Sequence, residues 1–207
     1  ERAFCRLGTS VAQTGRIEGE PKELALLTLA RFRAIADQMG IENFFVFATA
    51  AVRQAENRSA FVAEAEAALG QPIRVLTGEE EALLSTSGVA MSIPDAEGIV
   101  ADLGGGSLEL GYIKNGQLKE WASLNLGVLP LQELGPANKA PALKEIRRQI
   151  GTLPWLKRLN KKTIYTVGGT WGNLARLQMD HVGYGLDVFH QYEVAASKYL
   201  PFLKLIT

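Results

Sequence analysis

Apolar positions recur with two different periods along the chain, and these periods predict the order of its elements. Helical spacing marks two stretches of the first half, which end at Gly40 and Gly70. Each is followed by a short apolar run, at 44–48 and 73–76, that predicts a buried strand. Strands that alternate with helices favour an α/β layer architecture.

A third helix is predicted to begin after Thr77 and to extend to about Met91. Thr77 followed three residues later by Glu80 is the capping-box pattern. The first turn carries three successive acids, Glu79, Glu80 and Glu81. Acids suit helix N-termini and are commonly solvated there. The alternative is that one of them is a general base that deprotonates an attacking water.

The second half predicts an antiparallel meander. Its strands are expected at 99–102, 107–113 and 118–124. Asn115-Gly116 joins the last two and is a strong two-residue hairpin signal. A later strand at 164–167 precedes a helix over about 170–179. The break at 92–95 divides the chain into an expected N-terminal α/β lobe, 1–95, and a second lobe, 96–207.

Composition narrows the function classes. The 207 residues include 22 Lys plus Arg and 22 Asp plus Glu, so the net charge is zero. A neutral chain is a poor candidate for coating a nucleic acid duplex. Cys5 is the single cysteine, which excludes an internal disulfide and favours a reducing compartment, the cytoplasm. No apolar run of about 18 residues exists, so no membrane span is expected.

Candidate chemistry concentrates at the turn in residues 102–109, DLGGGSLE. Its glycines, Gly104, Gly105 and Gly106, let backbone amides approach an anion, and Ser107 can add a hydroxyl donor. Asp102 and Glu109 flank the turn and can face a cation, since Mg²⁺ sites use one or two carboxylates plus phosphate oxygens. The alternative is an ordinary glycine-rich hairpin turn.

Two further positions suit phosphate. Gly168, Gly169 and Thr170 lie between a strand and a helix, where an anion can rest at the helix N-terminus, although such a turn is often only structural. Arg53 follows the strand at 44–48, where it is either a surface charge or a phosphate clamp. Other chemistries lack support, since the chain has no Gly-Lys-Ser/Thr phosphate loop, no His-Glu-x-x-His and only two histidines.

Five ordered segments resemble the exopolyphosphatase/guanosine pentaphosphatase (Ppx/GppA) family. They are ATAAVRQAEN at 48–57, TGEEEA at 77–82, DLGGGSLEL at 102–110, SLNLG at 123–127 and VGGT at 167–170. The resemblance implies an actin-like, ribonuclease H-like two-lobe fold with its active site in the cleft. It also implies hydrolysis of terminal phosphoanhydrides, in polyphosphate or guanosine pentaphosphate, with Mg²⁺ or Mn²⁺ as cofactor.

The same resemblance assigns roles to residues. Glu81 corresponds to the family's catalytic base and Arg53 to its phosphate-clamping arginine. Asp102 and Glu109 correspond to its loop carboxylates, the expected metal ligands. The chain begins after the point where the family has its first strands and first phosphate loop, and we expect that segment to be needed for activity.

Three positions depart from the family pattern. Leu108 replaces the usual Thr, and Pro130 and Gly172 replace arginines that members can carry. Fewer basic groups should weaken binding of long-chain polyphosphate and favour a nucleotide or a short substrate. Two alternatives therefore stay open, a non-catalytic sensor of guanosine tetra- or pentaphosphate and a small-metabolite kinase of the same superfamily. The sequence leaves the oligomeric state open, with a homodimer among the options.

Overall fold

The computed structural model of the chain describes residues 3–135, 138–159 and 163–206. Its helices are Leu7–Thr14 (α1), Gly19–Gln38 (α2), Ala50–Gln54 (α3), Arg58–Leu69 (α4), Gly78–Ser92 (α5), Val128–Glu133 (α6), Lys139–Ile150 (α7), Pro154–Lys157 (α8), Gly169–His181 (α9) and Ala196–Ile206 (α10). Its strands are Phe47–Ala48 (β1), Arg74–Val75 (β2), Gly98–Leu103 (β3), Leu108–Lys114 (β4), Gln117–Leu124 (β5) and Thr163–Val167 (β6). Among the described helices, none has the length and apolar character that crossing a bilayer requires.

The strands form two sheets. β1 and β2 make a short parallel pair, and a four-stranded sheet has the order β5-β4-β3-β6. In that sheet β3, β4 and β5 are antiparallel neighbours, as the predicted meander requires, whereas β6 pairs parallel to β3. Helices flanking a mixed sheet confirm the predicted α/β class. The hairpin prediction is also confirmed, because Asn115 and Gly116 have φ values of 51° and 68°, as a type I′ turn needs.

The first two strands are shorter than the apolar runs predict. Those runs cover 44–48 and 73–76, but only Phe47–Ala48 and Arg74–Val75 form a ladder. Hydrogen bonds from the Arg74 amide to the Val46 carbonyl and from the Leu76 amide to the Ala48 carbonyl bound this short pairing. The prediction of full-length strands there was wrong.

The helix predicted after Thr77 is confirmed together with its cap. The Glu80 amide donates to Thr77 Oγ1 at 3.2 Å, and the Thr77 amide donates to Glu80 Oε2 at 2.8 Å. Both bonds of the capping box are therefore present. This cap fixes where α5 begins and hence the position of Glu81 one turn inside it.

Side chains of the four-stranded sheet alternate between two packed faces. On one face, Val100 and Ile113 pack against Val89 and Ile93 at the end of α5. On the other face, a second cluster includes Ala101, Leu110, Leu124, Leu126 and Trp155. Because alternate residues of a strand point to opposite faces, Asp102 shares the α5 face with Val100.

A separate core lies in the first half, formed by Ile17, Ala25, Val52, Ala55, Phe61 and Ala65. α5 comes before residue 95 in the chain, yet it packs on β4 and β5 of the second sheet. α5 therefore places side chains from the first half of the sequence against the second sheet. The division into lobes at 95/96 stays a prediction.

Contact between α5 and β4 gives a stability prediction. Thr86 is fully buried against Gly111, where a β-carbon would overlap its side chain. We expect Gly111→Ala to destabilise the fold by about 1–3 kcal/mol, because overpacking forces the helix from the sheet. Urea unfolding of the protein measures the change.

Gly88 provides the matched control on the same helix. No atom lies within 4 Å of a β-carbon built there. Gly88→Ala should therefore stabilise the protein by about 0.5–1 kcal/mol through helix propensity alone. Equal effects of the two substitutions would contradict close packing of α5 on β4.

Candidate active site

A row of polar side chains crosses the four-stranded sheet on its α5 face. Asp102 on β3 pairs with Glu109 on β4, and Glu109 pairs with Ser123 on β5. The Ser123 hydroxyl donates to Glu109 Oε1 at 2.7 Å. Glu109 is only 2% exposed, so its carboxylate lies inside the protein. The strand register thus brings together the two carboxylates that the sequence predicts as metal ligands.

Glu81 and Arg53 meet beside this row. Arg53 Nη1 donates to Glu81 Oε2 at 2.9 Å and to the carbonyl of Leu76 at 2.8 Å. Their side chains are 20% and 18% exposed, so the ion pair is partly shielded from water. Arg53 Nε and Nη2 donate no hydrogen bond within the described part of the chain. Arg53 therefore fixes the Glu81 carboxylate through Nη1, while its Nε and Nη2 donors are unused.

Three carboxylates lie close enough together in this region to affect the pKa values of Asp102 and Glu109. Burial raises the pKa of Asp102, and the nearby charge of Glu81 raises it further. Burial also raises the pKa of Glu109, whereas hydrogen bonds from Ser107 and Ser123 lower it and the charges of Glu81 and Asp102 raise it. Accumulated negative charge of this kind favours a bound cation or an exchangeable proton.

The other two acids of the α5 N-terminus are placed differently. Glu80 makes the capping box and an ion pair with Arg74. The hydrogen bond from the Thr77 amide lowers the pKa of Glu80, and the hydrogen bond and charge of Arg74 lower it further. Glu79 is exposed on the wall of a cleft. Of the three acids, Glu81 is the one paired with Arg53 and close to the buried carboxylates.

Hydrogen bonds from the start of α6 hold the glycine loop between β3 and β4. The amides of Val128 and Leu129 donate to the carbonyls of Gly104 and Gly105 at 3.2 and 2.9 Å. A β-carbon at Gly127 would overlap the loop backbone, so only glycine allows this approach. With their carbonyls bound, the loop residues hold a fixed shape.

Two loop amides are left available. Gly105 and Gly106 donate no backbone hydrogen bond within the described residues. The Ser107 side chain, by contrast, is 3% exposed and lies close enough to Glu109 to lower the pKa of that carboxyl. The predicted use of successive amides to meet an anion is therefore sterically available here.

A cleft of about 840 Å³ opens beside the loop. Its wall includes Arg53, Gly106, Ser107 and Ser123, together with Thr77 and Gly78 before α5. Glu81, Asp102 and Glu109 are not part of that wall. Ser123 belongs to the wall and donates to Glu109, and Ser107 lies beside the same carboxyl, so both connect the cleft to the buried carboxylates.

The second glycine turn, which follows β6, lies beside Asp102. β6 pairs Val167 with Asp102, and α9 begins at Gly169. A β-carbon built on Gly168 would lie 3.0 Å from Asp102 Oδ1. The predicted turn before a helix is confirmed, and it places Thr170 in the first turn of α9, next to the carboxylate row.

One of the three departures from the family pattern, Leu108, loses its expected effect. Leu108 packs into the cluster on the opposite sheet face, so the expected loss of a hydroxyl from the site does not follow. The space beside Gly172 is filled by the Phe189 ring, 3.1 Å from a β-carbon built there. Pro130 does line the cleft.

Ser123, Gly78 and Gly127 were not predicted as site residues. Ser123 and Gly127 belong to the SLNLG segment at 123–127, which carried the resemblance without an assigned role. A β-carbon at Gly78 would lie 2.7 Å from Ser123 Oγ, so the start of α5 touches β5 there. These contacts join distant parts of the chain, and no local pattern marks them.

Comparison with known proteins gives a consistent result. A model of the Ppx/GppA phosphatase family matches residues 1–206. The chain is similar to the crystal structure of an exopolyphosphatase-like protein, with 30% identity, a TM-score of 0.75 and coverage of 86% of this chain and 59% of that one.

Two other solved structures share the fold. A Ppx/GppA family member from Aquifex aeolicus has 28% identity and a TM-score of 0.73 over 98% of this chain and 68% of that one. An exopolyphosphatase from Cytophaga hutchinsonii has 21% identity and a TM-score of 0.84 over 100% of this chain and 70% of that one. The chain thus spans 59–70% of the length of these three proteins.

Proposed function

Because the chain belongs to the Ppx/GppA phosphatase family, and so has its actin-like fold, we propose that its cleft hydrolyses terminal phosphoanhydride bonds. The substrate class is inorganic polyphosphate, with the 5′-γ-phosphate of guanosine pentaphosphate as the second candidate. The observation that carries the proposal is the placement of Glu81 against Arg53 and beside Asp102 and Glu109. A base, a phosphate clamp and two carboxylates are the parts that phosphoryl transfer to water needs.

Binding falls to the donors in the cleft wall and next to it. Arg53 keeps Nε and Nη2 for phosphate oxygens, while Nη1 holds Glu81. The free amides of Gly105 and Gly106 face developing charge without reorganisation, because Val128 and Leu129 fix the loop. The N-terminus of α9, at Gly169 and Thr170, adds the positive end of a 13-residue helix.

Glu81 is the proposed base. Its carboxylate takes a proton from water as the water oxygen bonds to the terminal phosphorus. The bond from that phosphorus to the bridging oxygen breaks, and its electrons leave with the shortened chain. The ion pair with Arg53 orients the carboxylate. General-base catalysis depends on this orientation, because the base must lie within hydrogen-bond reach of the proton that it takes.

The donor set fits a Mg²⁺ ion that arrives with phosphate. No group of three or more His, Cys, Asp or Glu suited to a metal occurs among the described residues. Mg²⁺ commonly binds through one or two carboxylates plus substrate phosphates, and Asp102 and Glu109 would hold it here. Burial, and to a smaller extent the neighbouring carboxylates, raise the pKa values of both groups, and a cation would offset both effects. When bound, the ion would neutralise charge on phosphoryl oxygens.

The two alternatives make different demands on the same site. A non-catalytic sensor has no need for a carboxylate that an arginine orients. Leu108 no longer supports a loss of catalytic activity, because its side chain packs on the opposite face of the sheet. A small-metabolite kinase must pass phosphate to an acceptor other than water. Neither explains the pairing of Arg53 with Glu81 as directly as hydrolysis does.

Steady-state phosphate release tests the proposal. The assay uses the chain preceded by the family's first strands and first phosphate loop, since activity is expected to need that segment. With Mg²⁺ present, we expect release of orthophosphate from polyphosphate, from guanosine pentaphosphate or from both. We expect no transfer of phosphate from ATP to an added sugar. Tight binding of guanosine pentaphosphate without phosphate release would favour the sensor instead. Phosphorylation of an acceptor at the expense of ATP would favour the kinase.

A further inference from the structure

One hydroxyl group of the site makes a hydrogen bond that fixes a buried carboxylate. Ser123 on β5 pairs across the sheet with Glu109 on β4, and its hydroxyl donates to Glu109 Oε1 at 2.7 Å. Glu109 is 2% exposed, so water has little access to replace this bond if it is lost. The orientation of the Glu109 carboxylate therefore depends on Ser123.

The strand register is irregular at the point that decides which residue meets Glu109. Counted from the hairpin turn, a regular ladder would place Ala122 opposite Glu109. The irregularity between Tyr112 and Ile113 places Ser123 there instead. Such irregularities occur beside active sites, where they re-aim a side chain. Here the shift puts a hydrogen-bond donor, in place of a methyl group, against the buried carboxylate.

Ser123 has little room to turn away from Glu109. A β-carbon built on Gly78 would lie 2.7 Å from both Cβ and Oγ of Ser123, so the backbone at the start of α5 covers this side chain. Ser123 also lines the cleft. Its hydroxyl is therefore held between the cleft and the buried carboxylate.

The bond from Ser123 uses only one oxygen of the carboxylate. Oε1 accepts from Ser123, which leaves Oε2 for a cation. Asp102 pairs with Glu109 from the neighbouring strand β3, so a second carboxylate lies on the same face of the sheet. Ser107 lies beside the Glu109 carboxyl from the glycine loop.

We propose that Ser123 is a positioning residue, which holds the Glu109 carboxylate in the orientation that binds the divalent cation of the site. This role rests on the proposed function, in which Asp102 and Glu109 hold Mg²⁺ or Mn²⁺. Hydrogen-bond partners of this kind orient a metal ligand, and their loss commonly lowers metal affinity about 10–100-fold. Ser123 itself contacts neither the ion nor phosphate in this role.

Ser123→Ala tests the proposal through the binding of Mn²⁺. The ion is titrated, with orthophosphate present, into the chain that carries the family's first strands and first phosphate loop, and electron paramagnetic resonance counts the free Mn²⁺. We expect the Kd for Mn²⁺ to rise about tenfold, because Glu109 loses the donor that orients it. An unchanged Kd, or no binding of Mn²⁺ by the unaltered protein, would overturn the proposal.

Kinetics distinguish this positioning role from a general disturbance of the fold. The Mn²⁺ concentration for half-maximal phosphate release should rise by the same factor as the Kd. At saturating Mn²⁺, kcat and the substrate KM should return close to those of the unaltered protein, since the bound ion then holds Glu109. A kcat that stays low at every Mn²⁺ concentration would contradict a role limited to the cation.

Ser87→Ala is the matched control on α5. The Ser87 hydroxyl donates to the Leu83 carbonyl, also at 2.7 Å, but its acceptor is the backbone of the helix and not a carboxylate of the site. Its removal should leave the Kd for Mn²⁺ and kcat unchanged. An equal rise of the Kd in the two variants would overturn the proposal.

Mn²⁺ binding also separates this positioning role from the proposed function. A higher Kd in Ser123→Ala supports the role even if no phosphate is released. Phosphate release with the same Mn²⁺ dependence in both proteins would overturn the role and leave the proposed function standing.

Discussion

Replacing Glu81 by Gln is expected to lower turnover by about 10²–10⁴-fold, the range that general-base catalysis contributes. An amide keeps the size and polarity of the side chain but cannot accept a proton from water. It can still accept a hydrogen bond from Arg53, so the fold and the KM should change little. Steady-state phosphate release gives both kinetic parameters for the variant.

The two neighbouring acids are matched controls on the same helical turn. Glu80→Gln weakens the α5 cap and the pairing with Arg74, so we expect a small loss of stability and less than about a tenfold effect on turnover. Glu79→Gln alters only an exposed acid of the cleft wall. An inactive Glu80→Gln with an active Glu81→Gln would move the base by one residue. If all three variants stay active, α5 does not supply the base.

Removal of divalent cations is expected to abolish phosphate release. The Asp102→Asn variant should lower activity about a hundredfold and raise the Mg²⁺ concentration needed for half-maximal rate, since one of two carboxylates is lost. Asp102 is chosen because Glu109 is buried and bonded to Ser123, so its substitution could also disturb packing.

A Mg²⁺ titration of the rate checks this second prediction. Thermal unfolding of the Asp102→Asn variant without Mg²⁺ serves as the control for folding. Full activity in excess chelator would remove both carboxylates from the metal role. An unchanged Mg²⁺ requirement in the variant would remove Asp102 alone.

Local patterns predict the elements that carry the site. Thr77 and Glu80 fix the start of α5, and Asn115-Gly116 fixes the hairpin. The alternation of β3 places Asp102 on one face, and the same two-residue period turns Leu108 away from Glu109. The alternation of the strand alone predicts that orientation, which a motif comparison of the loop does not take into account.

Contacts between distant residues could not be predicted in the same way. A regular hairpin with a two-residue turn at 115–116 would place Ala122 opposite Glu109. The irregularity between Tyr112 and Ile113 shifts the register by one residue, so Ser123 faces Glu109 and donates to it. The pairing of Arg53 with Glu81 spans 28 residues and depends on how α3 and α5 pack.

Hydrolysis in water labelled with heavy oxygen tests the central claim most directly. If water oriented by Glu81 attacks the terminal phosphorus, the label will appear in the released orthophosphate and not in the shortened polyphosphate or guanosine tetraphosphate. Mass spectrometry of both products measures its distribution. Label in the shortened product would mean attack at another phosphorus, and label in neither product would mean that water is not the attacking group. Either result would contradict the account.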